Sequence, residues 1–296
     1  MRRSDAPDLP EPGAVPSAAR EHLAIASYRD GVWHAADDTL AVERALEIHV
    51  AGAEPLITMR TPGHDRELAA GLLHGEGVVQ TVDDIVYLRH SPDEPDVIRA
   101  MLKPAARARL DRIERNTLAT SACGVCGKPS FRAPQPRRGD PAAASALHIA
   151  PDWLLGLPAR MRAEQGVFET TGGLHAAALF AAGGDLIALR EDVGRHNALD
   201  KLIGRALLDA QLPLDQQVLM LSGRASFELL QKAIAAGIPV VCAVSAPSSF
   251  AVELARRFST TLVGFLRGGR FNCYSGARRL GANKRRQPAR GRLMPN

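Results

Sequence analysis

An α/β fold is predicted for this chain of 296 residues by two observations. In the second half, short wholly apolar runs at 218–221, 238–244 and 261–266 alternate with stretches of helical periodicity. Strands buried on both faces read in that way, as parallel strands covered by helices do. In the first half, residues 46–50 alternate apolar and polar, the pattern of a half-buried strand.

Taken in order, the strand at 46–50 meets the turn signal Ala51-Gly52-Ala53 and pairs back with 55–59 as a hairpin. A helix follows over 66–73, with Leu68 and Leu72 one turn apart on one face. Residues 85–88 and 97–102 read as two further strands. Residues 104–151 are rich in Gly, Pro, Arg and Ser and read as loop. Strands at 176–180 and 186–189 are joined by the turn Ala182-Gly183-Gly184-Asp185. The helix at 197–210 presents Leu199, Leu202, Ile203, Ala206 and Leu207 on one face. A helix at 226–236 stops at Gly237, and another spans 249–258. This alternation implies a sheet with parallel pairs and helices on its faces. The expected division is a disordered leader over 1–20, an N-terminal subdomain over 21–150, a larger domain over 151–276 and a basic tail over 277–296.

Composition narrows the function. Hydrophobic residues make up 46% and charged residues 23%, as in an ordinary soluble globular protein. Aromatics are only 4%, too few to favour base stacking on single strands. The net charge of +5 sits at loop tips and in the tail (Arg278, Arg279, Lys284, Arg285, Arg286, Arg290 and Arg292), not along a helix, which disfavours nucleic acid as a partner. No apolar stretch reaches membrane length, and Met1 to Asp5 carries an arginine pair with no apolar segment after it. No membrane association and a cytoplasmic location are expected.

Cys123-Gly124-Val125-Cys126 is the most informative motif. Two thiols at this spacing share one metal, one disulfide or one mobile sulfur atom. Lys128 nearby favours thiolate, the nucleophilic form. A structural zinc site needs four ligands, and the other cysteines, Cys242 and Cys273, are singletons, so no metal ligands are assigned. A thioredoxin-type role would place the motif in an N-terminal βαβ unit, which is not read here. Sulfur transfer through Cys123, with Cys126 resolving, accepting or protecting the persulfide, is the leading chemistry. A nucleotide- or zinc-binding chaperone without sulfur transfer is the alternative.

Polar, glycine-rich stretches lie beside the expected strands. They are Gly172-Gly173-Leu174-His175, the segment Asp192-Val193-Gly194-Arg195-His196, Ser222-Gly223-Arg224, the turn at Ser245, and Phe265-Leu266-Arg267-Gly268-Gly269-Arg270. Strand-to-helix turns are where ligands bind in open α/β sheets, because backbone N–H groups and arginines there hold phosphates. The last three, each following a buried strand, describe one anion-binding crevice, with a phenylalanine available to stack on a purine.

With these motifs in view, the chain resembles the FdhD family of formate dehydrogenase accessory sulfurtransferases over about residues 40–276. The resemblance rests on the stretch Met59 to Leu68, the Cys123 to Gly127 loop, Thr171 to His175, Glu191 to Lys201, Ser222 to Arg224 and Phe265 to Arg270. It implies a cytidine-deaminase-like three-layer domain with a smaller N-terminal α+β subdomain, and a homodimer. It implies that Cys123 accepts persulfide sulfur from a cysteine desulfurase. The sulfur passes to the molybdenum of Mo-bis(molybdopterin guanine dinucleotide), bound as cargo and destined for formate dehydrogenase apoenzyme. It further implies that the cargo's guanine nucleotide end, or GDP or GMP in its place, is held by Phe265 to Arg270. Deaminase chemistry does not carry over, because the H-x-E and P-C-x-x-C pattern is replaced by His175-Ala176-Ala177 and Pro247-Ser248-Ser249-Phe250-Ala251.

Overall fold

The computed structural model describes residues 19–110 and 145–282. The chain opens with a ribbon of β1 (Arg20–Arg29) and β2 (Val32–Ala41), paired only with each other. A four-stranded sheet follows, in the order β4 (Leu56–Arg60), β3 (Arg44–Val50), β6 (Val97–Leu102), β5 (Ile85–His90). Helix α1 (Asp65–Gly75) covers one face of it, and a short α2 (Pro104–Arg107) follows β6. Then come short helices α3 (Pro151–Leu154), α4 (Leu157–Ala163) and α5 (Gly166–Thr171).

The six-stranded sheet has the order β12 (Arg270–Ser275), β11 (Thr261–Arg267), β10 (Val240–Ala243), β9 (Gln217–Leu221), β7 (His175–Ala181), β8 (Leu186–Asp192). Strands β9, β10 and β11 are parallel, while β7, β8 and β12 run against their neighbours. Successive side chains of a strand point to opposite faces, and the core divides accordingly. Leu219, Leu221, Val241, Ala243 and Leu262 face α6 (Arg195–Leu208), α7 (Phe227–Ala235) and α8 (Ser249–Arg257). Val218, Met220, Val240, Cys242 and Val263 face α3, α4 and the single turn Ala277–Leu280. The apolar runs are continuous because both faces are covered. Mixed α/β architecture is thus as expected.

The structure also differs from expectation in places. The ribbon was not foreseen, because its apolar residues lie on both faces and leave no period of two. Ala19 is buried and Arg20 begins β1, so the packed chain starts before residue 21. Helices α3 to α5 are too short for periodicity to show. The stretch 265–271 is not a free loop after β11 but the tip of a hairpin that continues into β12. Leu280 is buried, so packed chain extends past residue 276 into the expected tail.

The two units meet along α1 and α6. At the seam a methyl group on Gly71 would overlap the carbonyl of Asp200, and one on Gly204 would overlap the carbonyl of Glu67. Only glycine lets the two backbones approach so closely. Alanine in a helix interior ordinarily gains about 1 kcal/mol over glycine. Overlap with backbone outweighs this, so Gly204→Ala is expected to lose about 2 kcal/mol in urea denaturation. Gly183→Ala, where nothing lies near, is expected to stay within about 0.5 kcal/mol of the parent. Equal stability of the two variants would contradict a tight seam.

Candidate functional site

The antiparallel and parallel strands bring every motif read from the second half to one edge of the large sheet. His175 begins β7 opposite Asp192, which ends β8. Ser222 follows β9, and its backbone N–H donates to the carbonyl of Ala176 (3.0 Å) while its Oγ accepts from Ala176 N (2.8 Å). The His175 ring lies against Gly223. Ser245 N donates to Gly223 O (3.3 Å), and Phe265 N donates to Ser245 O (3.1 Å). A line therefore runs Asp192, His175, Ser222-Gly223, Ser245, Phe265 across the edge. It follows from topology: the C-terminal ends of β9, β10 and β11 meet the start of β7 and the end of β8.

Phe265 holds a left-handed backbone (φ 54) where β11 bulges into the hairpin. Such a conformation in a non-glycine residue is costly and tends to mark functional positions. Beyond it Arg267, Gly268, Gly269 and Arg270 are exposed, and the Arg267 guanidinium lies 5.7 Å from the Phe265 ring centre. Leu266 instead points into the core and is fully buried, which leaves only its backbone for a ligand.

The turn from β8 into α6 is held from beneath. Asp192 is fully buried. Its Oδ2 meets Lys201 Nζ at 2.7 Å and accepts from Thr61 N at 3.2 Å. Its Oδ1 accepts from Gly194 N at 2.8 Å and Asn197 Nδ2 at 3.3 Å. Lys201 Nζ also donates to Thr61 O (2.8 Å), and Val193 N donates to Thr61 Oγ1 (3.2 Å). Asp192 thus faces inward and shapes the turn. Its partner Thr61 comes from the loop before α1, more than a hundred residues away in sequence. Nearby, Arg190 grips Glu67, donating to Oε1 at 2.7 Å. Burial pushes the Glu67 carboxyl up, but the bonds from Arg190 and the neighbouring His64 prevail and hold it at about 2.

The turn sets Arg195 within electrostatic reach of His175. Burial lowers the His175 imidazole, and the nearby Arg195 and Arg224 lower it further against the pull of Asp192. Two arginines close enough to disfavour an imidazolium create a positive field at the sheet edge, suited to an anion. His196 is nearly buried below, with Nε2 3.3 Å from Ser226 Oγ and 3.5 Å from Glu228 Oε2. Burial pulls His196 down to about 4, with Glu228 opposing and Lys232 and Arg195 reinforcing. Both histidines are therefore neutral at pH 7. Behind them, Lys232 donates to both oxygens of Asp200 at 2.9 Å.

Gly172 caps α5 in a left-handed conformation (φ 65), and Gly173 lies beside Ala41 of β2, so both sit at the rim. Cys123 and Cys126 lie outside the described residues. Among the described residues, no group of three or more His, Cys, Asp and Glu is arranged to hold a metal ion. No described helix is long and apolar enough to cross a membrane. Sequence reasoning did not single out Thr61, Ser226 or Glu228 as neighbours of the site; pairings across such separations leave no local signal.

A depressed imidazole couples folding to pH. Unfolded, His196 takes a proton near 6.5; folded, near 4. As pH falls from 6.5 to 4 the unfolded state binds the proton first, so stability is lost. Relative to His196→Gln, the parent chain is expected to lose up to about 3 kcal/mol over that interval in denaturant unfolding. A constant difference between the two would contradict a neutral, buried His196.

The comparisons with known proteins agree on one family. Residues 41–281 match the FdhD/NarQ family. A protein named sulfur carrier protein FdhD from Streptomyces coelicolor is 49% identical over 268 residues, covering 88% of this chain and 95% of that protein. The Mycobacterium tuberculosis protein of the same name is 47% identical over 258 residues, covering 82% and 92%. A solved structure described as a formate dehydrogenase accessory protein, from Desulfotalea psychrophila, superposes with TM-score 0.68 at 21% identity, covering 88% of this chain and 99% of the other. By its matching residues and its relatives, this chain belongs to the FdhD/NarQ family.

Proposed function

We propose that this chain is a cytoplasmic, homodimeric sulfur carrier that serves formate dehydrogenase maturation. Cys123 takes sulfur from a cysteine desulfurase and delivers it to the molybdenum of Mo-bis(molybdopterin guanine dinucleotide), which is the substrate. The reading is supported by the relatives named sulfur carriers and above all by one observation. Five separate strand ends converge on one edge, where burial first and then the nearby Arg195 and Arg224 lower the imidazole of His175. A diphosphate between nucleoside and pterin fits such a field, and the hairpin tip offers Arg267, Arg270 and the Phe265 ring for the nucleotide end.

The sulfur step balances without an external oxidant. The Cys123 thiolate attacks the outer sulfur of the donor persulfide; that S–S bond breaks, the donor leaves as thiolate, and Cys123 carries the persulfide. Attack of Cys126 on the Cys123 sulfur would then release hydrosulfide as the species delivered to the metal. The Cys123–Cys126 disulfide left behind is reset by a thiol reductant.

After incubation with a desulfurase and cysteine, the parent chain is expected to gain the mass of one sulfur atom, and Cys123→Ala to gain none. In cells, Cys123→Ala is expected to leave formate dehydrogenase at background. Full activity of that variant would remove Cys123 from the mechanism. Calorimetric titration with GDP is expected to weaken about tenfold in Arg224→Ala, the loss of one charge-assisted contact; unchanged affinity would remove the nucleotide from this crevice.

A further inference from the structure

We propose that Glu228 is a positioning residue that fixes His196 in the tautomer protonated at Nε2, so that Nδ1 stands as a neutral acceptor for the N–H edge of the aminopyrimidinone ring common to guanine and pterin. This deepens the proposed function and rests on its reading of the ligand; the tautomer itself is measured with no ligand present.

The observation that carries it is an orphan oxygen. Glu228 Oε2 is buried and has no hydrogen-bond partner. Buried polar atoms are nearly always partnered, so an exception calls for a reason. The nitrogen facing it is His196 Nε2, at 3.5 Å. A bare Nε2 would set its lone pair against those of the carboxylate, which only accepts. A proton on Nε2 removes that conflict and also serves Ser226 Oγ, at 3.3 Å. Lys232 Nζ stands 3.9 Å from the other oxygen, Oε1, and donates to both oxygens of Asp200. It draws Oε1 to its own side and leaves Oε2 toward the imidazole. Burial, with Lys232 and Arg195 nearby, keeps the ring from taking a second proton against the pull of Glu228. The neutral ring therefore has one proton, and it sits on Nε2.

Nδ1 is then an acceptor. It has no partner among the described residues, and it is not one of the unpartnered atoms shut off from solvent. His196 is the second residue of α6 and Ser226 precedes α7, so their contact joins two of the polar turns at the sheet edge. A carboxylate behind an imidazole, choosing which nitrogen stays free, is the arrangement that orients a histidine to present a lone pair. A neutral lone pair repels phosphate oxygens, which suit the nearby arginines, and attracts a ring N–H instead. Arginines for the phosphates and Nδ1 for the ring divide one ligand between them.

Two-bond proton–nitrogen NMR spectra of the full chain at pH 7 are expected to show His196 protonated at Nε2. In Glu228→Gln, Lys232 draws the amide oxygen, the amide nitrogen faces Nε2, and the ring proton is expected to move to Nδ1. Calorimetric titrations use GDP and hydroxymethylpterin as probes. Glu228→Gln is expected to weaken binding about tenfold, the size of one lost hydrogen bond. A loss for GDP alone places guanine against Nδ1; a loss for the pterin alone places the pterin there. In a His196→Asn background no ring proton can move, so adding Glu228→Gln is expected to cost nothing further. A parent chain that binds neither probe would overturn the reading of the ligand and this inference with it. A parent chain that binds a probe but holds His196 protonated at Nδ1, or unchanged affinity for both probes in Glu228→Gln, would overturn this inference alone.

Discussion

A carboxylate with no access to water, Asp192, sets the geometry on which the rest depends. An isolated charge cannot remain in such a place; it needs a counter-ion and a full set of donors. Lys201 supplies the charge, and Thr61, Gly194 and Asn197 supply the donors. Removing one partner of a buried pair typically costs about 3–5 kcal/mol, a large part of a domain's net stability. The three pieces of chain that meet there are therefore bound to each other: the loop before α1, the end of β8 and the first turns of α6.

That constraint has consequences at both ends of α6. At its start the turn Val193-Gly194-Arg195-His196 is fixed in space, which keeps Arg195 near enough to His175 to disfavour its imidazolium. Further along, α6 lies against α1 at Gly71 and Gly204. The small sheet and the large sheet are thereby parts of one packed body. The row of strand ends belongs to the large sheet, yet the turn from β8 into α6 is held by Thr61 of the small unit. Neutral histidines and charged arginines then divide the work. A neutral histidine keeps one ring nitrogen as a hydrogen-bond acceptor, while the arginines supply the charge.

Much of this was legible in the sequence, and the failures share a physical cause. The runs 218–221, 238–244 and 261–266 announce buried strands because both faces are covered, and the structure shows β9, β10 and β11 there. The polar turns after them lie in a row because α/β topology collects such turns at one end of the strands. The ribbon was missed because its apolar residues follow no single face, and α3 to α5 because they are shorter than the period that would reveal them. Asp192 reads in sequence like its polar neighbours, as a group facing a ligand; the fold turns it inward. Thr61 lies in a polar motif of its own, and nothing local says that its partners are Asp192, Val193 and Lys201. Long-range pairing of buried polar groups is a property of the fold, not of a window of sequence. Cys123 and Cys126, the clearest chemical signal in the chain, lie outside the described residues.

The central claim is that the small unit shapes the crevice through the junction at Asp192, and GDP affinity of Thr61→Val measures it most directly. Valine keeps the volume and the backbone bonds of Thr61 but leaves the Val193 N–H without its acceptor. The side chain is buried and cannot touch a ligand. A folded variant that binds GDP about tenfold more weakly than the parent chain is the expected result, the size of one lost buried hydrogen bond. A folded variant with the parent's affinity would contradict the claim.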